Sequence, residues 1–288
     1  MFSSFLRLFV FVYSWMIFLS CADKTEHKIF DVHLHGEADP VKQLEELQTN
    51  GVGVIAVSTS WPQQQQYLSS EKLKILHGLM IPCPNGKVPY SLQTCFEDGK
   101  EWPEPAWVEN QIKEKRIDFI GEVLAQYYGI SESDSSMYPY YALAEKYDLP
   151  VGIHTGSAGP NHGSPNFKEE LGNPLLARNL LESFPKLRVW LMHGGGPYIK
   201  ECLEMLKTYP GLCIDISVLN DPRIVSQDEF AKIMKLFIDN GMEDRLFFGS
   251  DNAPISTTIA SVNKMEFLSE SQKRKVLAGN AEKFFKIK

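Results

Sequence analysis

The chain has 288 residues, 43% of them hydrophobic and 23% charged, with 29 basic against 36 acidic side chains and a net charge of −7. This globular composition excludes a low-complexity, collagenous or polytopic membrane protein. The acidic balance also argues against a nucleic-acid partner held by phosphate neutralisation, which leaves a small-molecule substrate as the expected partner.

In chain order, the first feature is Arg7 followed by a single apolar run over 8–19. The run is shorter than the ~20 residues that span a hydrocarbon core, and it ends on the small residue Ser20, the pattern of a secretory signal. Phe18-Leu19-Ser20-Cys21 resembles the lipobox of bacterial lipoproteins, with Phe in place of the usual Leu. The resemblance implies a signal peptide over 1–20, lipidation of Cys21, a tether over 21–28, and a location on the bacterial cell envelope. The membrane would then be met through the lipid anchor only. Four cysteines remain, Cys83, Cys95, Cys202 and Cys213, and none forms a CxxC pair, so a cysteine zinc site is not supported. Cys83 and Cys95 flank the turn-rich Pro84-Asn85-Gly86 and are either a disulfide or two free thiols.

From residue 29 onward β-branched runs alternate with helix-period stretches. Strands are expected over 29–35, 52–58, 75–82, 117–123, 150–155, 188–193, 212–217 and 246–250. Helical patterns fall between them at 40–49, 106–116, 138–147, 173–183, 197–208 and 228–240. Eight apolar strands in βα alternation within one domain, 29–288, match a (β/α)₈ TIM barrel, although a doubly wound sheet alternates in the same way. Two connections are long, 83–105 after the third strand and 156–171 after the fifth. Both would emerge at the carboxyl ends of strands, where barrel enzymes build their sites.

The chemistry starts at Asp31-Val32-His33-Leu34-His35. Alternation along a strand sends His33 and His35 to one face, with Asp31 one step deeper. An isolated HxH is weak evidence, and its weight comes from where the other polar residues fall. Glu122 ends the fourth expected strand, His154 the fifth, His193 the sixth and Asp251 the eighth. Each taken singly reads as a hydrogen-bonded core residue. Together they would bring four histidines and two carboxylates from five strands to one rim.

That order, HxH, Glu, His, His, Asp, together with the ending Val276-Leu277-Ala278-Gly279-Asn280-Ala281-Glu282-Lys283-Phe284-Phe285, resembles the amidohydrolase superfamily, in particular its amidohydrolase-related branch of hydrolases, lactonases and decarboxylases. The resemblance implies the barrel and a metal site at the carboxyl ends of its strands. It implies His33, His35 and His154 as ligands, Asp251 as ligand or acid/base, and His193 as a second ligand or a substrate contact. Glu122 would bridge two ions, bind one, or face substrate, so one or two ions are left open.

Imidazole and carboxylate donors suit a divalent metal, with zinc the default. Such an ion brings the pKa of bound water to roughly 7, and Asp251 could move the proton to the leaving group. His193 could donate to the developing oxyanion. Trp61, Tyr127, Tyr128, His162 and Asn252 are candidate substrate contacts, each of which could equally be packing or surface. The reading is a metal-dependent hydrolase of a small amide, ester or lactone. A decarboxylase or hydratase of a small organic acid on the same site is the alternative, and a lipoprotein that binds without turnover is a third.

Overall fold

The computed structural model describes residues 29–157 and 162–287, so the lipobox at 18–21 lies outside the described residues. Eight strands form a single parallel sheet in sequential order: β1 Ile29–His35, β2 Val52–Ser58, β3 Lys74–Ile81, β4 Phe119–Val123, β5 Val151–Ile153, β6 Val189–Leu191, β7 Cys213–Asp215 and β8 Leu246–Phe247. The sheet curls until β8 meets β1. There the Val32 N–H donates to the Phe248 carbonyl at 3.0 Å and the Asp251 N–H to the His33 carbonyl at 2.7 Å. The architecture is the (β/α)₈ TIM barrel, and the doubly wound alternative is excluded because such a sheet has two free edges.

β1 and β2 are buried along their whole length, as strands covered on both faces must be. The outer face packs against the helices through Leu47, Val108, Ile112, Tyr141, Leu206 and Phe237. The inner face holds a separate cluster built on Phe30, Phe119, Trp190, Phe247 and Phe285. Phe285 comes from the last helix, Asn280–Phe285, and its ring centroid lies 5.1 Å from Phe30 and 5.3 Å from Trp190. Since Phe30 and Phe119 open their strands, this helix plugs the amino-terminal end of the barrel. Asn280 fixes it there by donating from Nδ2 to the carbonyls of Glu243 and Leu246, at 2.8 and 2.9 Å. The carboxyl-terminal motif is thus a docking device for the barrel floor. Gly152 is required by the same packing, because a Cβ there would run into the Trp190 indole and the Met192 methyl group.

β5 to β8 are shorter at their carboxyl ends than their hydrophobic patterns suggest. Residues 154, 193, 217 and 250–251 leave the ladder and turn inward at the rim instead of continuing it. The expected helix at 173–183 is divided into a 3₁₀ turn Pro174–Ala177 and an α-helix Arg178–Ser183, and Asn173 caps it by accepting from the Leu175 N–H at 3.0 Å. Among the described residues no helix is long and apolar enough to cross a membrane.

Candidate metal centre

β1 supplies two imidazoles whose ring centroids lie 5.1 Å apart, edge to face. His33 is fully buried. Its Nδ1 lies 3.2 Å from Asp215 Oδ2 and 3.0 Å from Ser217 Oγ. A carboxylate only accepts, so Nδ1 carries the proton and Nε2 offers a lone pair. His35 is oriented in the same way: its Nδ1–H donates to the Ser58 carbonyl at 3.0 Å. His35 Nε2 then faces Asp251 Oδ1 at 2.9 Å and Glu122 Oε2 at 3.2 Å.

The other half of the site comes from β4, β5 and β6. Glu122 is buried, with Oε1 hydrogen-bonded to His154 Nδ1. His193 Nε2 stands 3.8 Å from Glu122 Oε1 and 3.3 Å from His154 Nδ1. The Ser217 hydroxyl donates to Asp215 and lies 2.9 Å from His193 Nδ1, so its oxygen accepts from that ring nitrogen. With Nδ1 engaged by Ser217, Nε2 is the atom His193 turns toward Glu122 and is placed to serve as a metal ligand. His193 and Asp251 are both left-handed, with φ of 61° and 55°. Non-glycine residues seldom adopt that conformation outside functional turns, and here it swings both side chains off the strand ends toward the centre.

Asp215 is the residue the sequence reading missed. It ends β7 and is fully buried. Beyond His33 it accepts from the Trp190 indole N–H at 3.2 Å and the backbone N–H groups of His193 and Ser217 at 3.0 Å each. One carboxylate therefore orients two candidate ligands and ties the barrel interior to the site. The signal was available, since Leu212-Cys213-Ile214-Asp215 is an apolar strand ending in a carboxylate, the same pattern that picks out Glu122 and Asp251. Asp31 lies behind the centre and joins β8 to β1, accepting from the backbone N–H and the hydroxyl of Ser250. Burial pushes its pKa up to about 6, against the lowering effect of these hydrogen bonds.

The charge balance calls for a cation. Burial opposes a charge on His33 and His35, yet Asp215 and Glu122 hold His33 well above its usual value, and Asp251 and Glu122 raise His35 to about 9. Burial likewise opposes ionisation of Glu122 and Asp251, and the surrounding imidazoles more than offset it, lowering both. Several carboxylates thus share a dry site with imidazoles that would have to be protonated to neutralise them, which is the work a divalent ion does. His33 Nε2, Glu122 Oε2 and His154 Nε2 are buried without a hydrogen-bond partner. Two groups bring their donor atoms within 4.8 Å of one another: His33, Glu122 and His193, and His33, His35 and Asp251. The residues fit a divalent metal, with imidazole and carboxylate ligands and an orienting partner behind His33, His35 and His193. His154 belongs to neither group and touches the first through both Glu122 and His193.

A cavity of about 260 Å³ opens onto these residues. Tyr127, His162 and Asn252 line it as expected, and the structure adds Tyr90, Ser157 and Ile224. Trp61 lies elsewhere, in a larger cleft of about 500 Å³ with Trp107 and Arg116, which shares no lining residue with the metal pocket. Tyr128 also points away: its hydroxyl donates to Glu101 at 2.8 Å and its ring packs edge-on against Trp102.

Tyr90 packs against His35 with ring centroids 3.9 Å apart and the planes tilted by 41°. It is carried by the connection after β3, which the Cys83–Cys95 disulfide closes across a separation of 12 residues. This decides between the two fates left open for those cysteines. The double variant Cys83→Ser/Cys95→Ser is expected to lose about 3 kcal/mol of stability through the freed unfolded chain. It should also show a raised KM as Tyr90 loosens. Urea unfolding and steady-state kinetics test this, and unaltered stability would contradict it.

The amidohydrolase family profile matches residues 102–287. No curated protein matches the chain. Among solved structures, an uncharacterized TIM-barrel protein from Bordetella bronchiseptica is 18% identical, with a TM-score of 0.64 over 90% of this chain and 98% of that one. A dihydroorotase from Campylobacter jejuni is 15% identical, with a TM-score of 0.60 over 91% and 84%. A dihydroxybenzoic acid decarboxylase from a Polaromonas species, solved with bound manganese and an inhibitor, is 11% identical, with a TM-score of 0.58 over 90% and 97%. These likenesses show the shared barrel.

Proposed function

This chain belongs to the amidohydrolase family, and from that premise we propose that it is a metal-dependent hydrolase of a small amide, ester or lactone. The observation that carries the reading is the position of Asp251. Its carboxylate borders the cavity with 19% of its side chain exposed, and it meets His35 Nε2 at 2.9 Å beside the candidate ligands. A carboxylate at that place can take a proton from an attacking water and return it to the leaving group.

The ligands would be His33, His35, His193, Glu122 and Asp251, with His154 completing the set through Glu122, and zinc is the proposed ion. When bound, a divalent ion supplies Lewis acidity, which polarises a carbonyl and brings the acidity of water near neutrality. The protein's own groups do the rest. Asp215 and Ser217 hold the His33 and His193 tautomers. Burial and the nearby Glu122 and Asp251 keep the Tyr90 and Tyr127 phenols protonated, so both are walls or donors and neither is a base. The proposal includes a lipid anchor at Cys21, on the strength of the apolar run over 8–19 and the Ser20-Cys21 pair.

Asp251→Asn keeps the shape of the side chain and removes its basicity. Hydrolysis of an ester and lactone panel is expected to fall by about 10²–10⁴-fold, and full turnover in the variant would sink the reading. Decarboxylation on the same site is the second reading, favoured by the decarboxylase among the structures of similar fold. Release of CO₂ from aromatic acids, with no hydrolysis of the panel, would establish it instead.

A further inference from the structure

We infer that the substrate is electroneutral away from its reacting carbonyl, a small neutral ester, amide or lactone and not an acid carrying an additional carboxylate. This rests on the hydrolase reading and narrows its substrate class.

The wall beyond the candidate ligands is made of Tyr90 and Tyr127, the apolar Val218 and Ile224, and the neutral polar Ser157 and Asn252. Among the described lining residues none is lysine or arginine, and the sequence of 158–161, Ala-Gly-Pro-Asn, contains neither. His162 does not supply a cation, because burial pushes its imidazole pKa down. The arginine nearest the pocket residues in the chain, Arg223, lines a neighbouring cleft that shares Asn252 with the pocket, and its charge is already engaged by Asp221 through Nε at 2.9 Å and Nη2 at 2.6 Å. A second carboxylate on the substrate would therefore lose its hydration against tyrosine and aliphatic surface with no fixed positive charge to receive it. The charge of a bound divalent ion would already be offset by Glu122 and Asp251 at the centre, which leaves a remote carboxylate no surplus positive field to enter. A neutral ring avoids that cost, stacking on the tyrosines while Ser157 and Asn252 meet a carbonyl or hydroxyl. The volume of about 260 Å³ lies just under the ~300–1,000 Å³ of drug-sized sites, so the ligand is small.

The test uses ligands whose metal-directed group is constant and whose remote end differs. Benzohydroxamate, 4-carbamoylbenzohydroxamate and 4-carboxybenzohydroxamate are titrated calorimetrically into the zinc-loaded protein. The two neutral compounds should bind alike, and the carboxylated one about tenfold or more weakly. Ile224→Lys places a cation on the wall and should close most of that gap, read within the variant as the ratio of carboxylated to neutral binding so that any change common to all three ligands cancels. Equal or tighter binding of the carboxylated compound overturns the inference, as does a gap that Ile224→Lys does not narrow. Retained preference without turnover of any ester, amide or lactone would retire the hydrolase reading and leave the charge preference standing. No binding by any of the three would remove the metal-centred pocket on which both depend.

Discussion

His33→Ala is expected to lower turnover by about 10³-fold or more, equivalent to about 4 kcal/mol of activation free energy, and to deplete the purified protein of divalent metal. His33 belongs to both clusters of candidate ligands, so its removal damages either a one-ion or a two-ion site. With His193 it also couples Asp215 and Ser217 to the centre, through contacts of 3.2 and 3.0 Å to its Nδ1. Alanine would leave Asp215 without its imidazole partner at a fully buried position, where a lost partner costs more than the original bond contributed. Elemental analysis and the ester panel measure the two effects together. His77→Ala serves as the control, because the His77 Nε2 contacts the Tyr67 carbonyl at 2.9 Å and not the pocket. Wild-type metal content and turnover in His33→Ala would refute the assignment of the centre.

The second large effect is expected in stability. Trp190 is fully buried inside the barrel, with ring centroids 5.6 Å from Phe119, 5.3 Å from Phe285 and 6.1 Å from Phe284. Trp190→Ala should cost about 3–5 kcal/mol, the sum of lost transfer energy and the cavity left among rigid neighbours. It should also lower activity, because the indole N–H that steadies Asp215 at 3.2 Å is lost. Trp190→Phe separates the two contributions. It restores most of the ring contact without the donor, so stability should recover more than activity does. A loss below about 1 kcal/mol in the alanine variant would mean that the interior is not packed around this residue.

Both predictions concern a site that was only partly legible in the chain. His33, His35, Glu122, His154, His193 and Asp251 could be read because each closes a short apolar run, and strand alternation is a local property that assigns faces without knowledge of the fold. Asp215 obeys the same rule, closing the apolar run Leu212-Cys213-Ile214, but its role as a brace behind the ligands depends on contacts with His33 and Trp190 from other strands. Tyr90 carried no local signal. It lies in a polar, turn-rich connection, and its place against His35 depends on the disulfide and on the path of that loop. Trp61 and Tyr128 show the reverse: aromatic residues just after strands were reasonable pocket candidates, and the short helices Trp61–Gln64 and Ala125–Tyr128 direct them elsewhere.

The sequence by itself determined the eight-fold βα rhythm, the residues at the strand ends and the donor chemistry, all of which follow from patterns a few residues long. Tertiary structure decided that the sheet closes, that Asp215 braces the centre, and that Tyr90 rather than Trp61 walls the pocket. It also decided that no described lysine or arginine lines that pocket. Those outcomes depend on contacts between residues as far apart as His33 and Asp215, 182 positions along the chain. Only the folded barrel brings such residues to one rim, and the directions of their side chains are set by backbone turns such as those at His193 and Asp251 that no local pattern encodes.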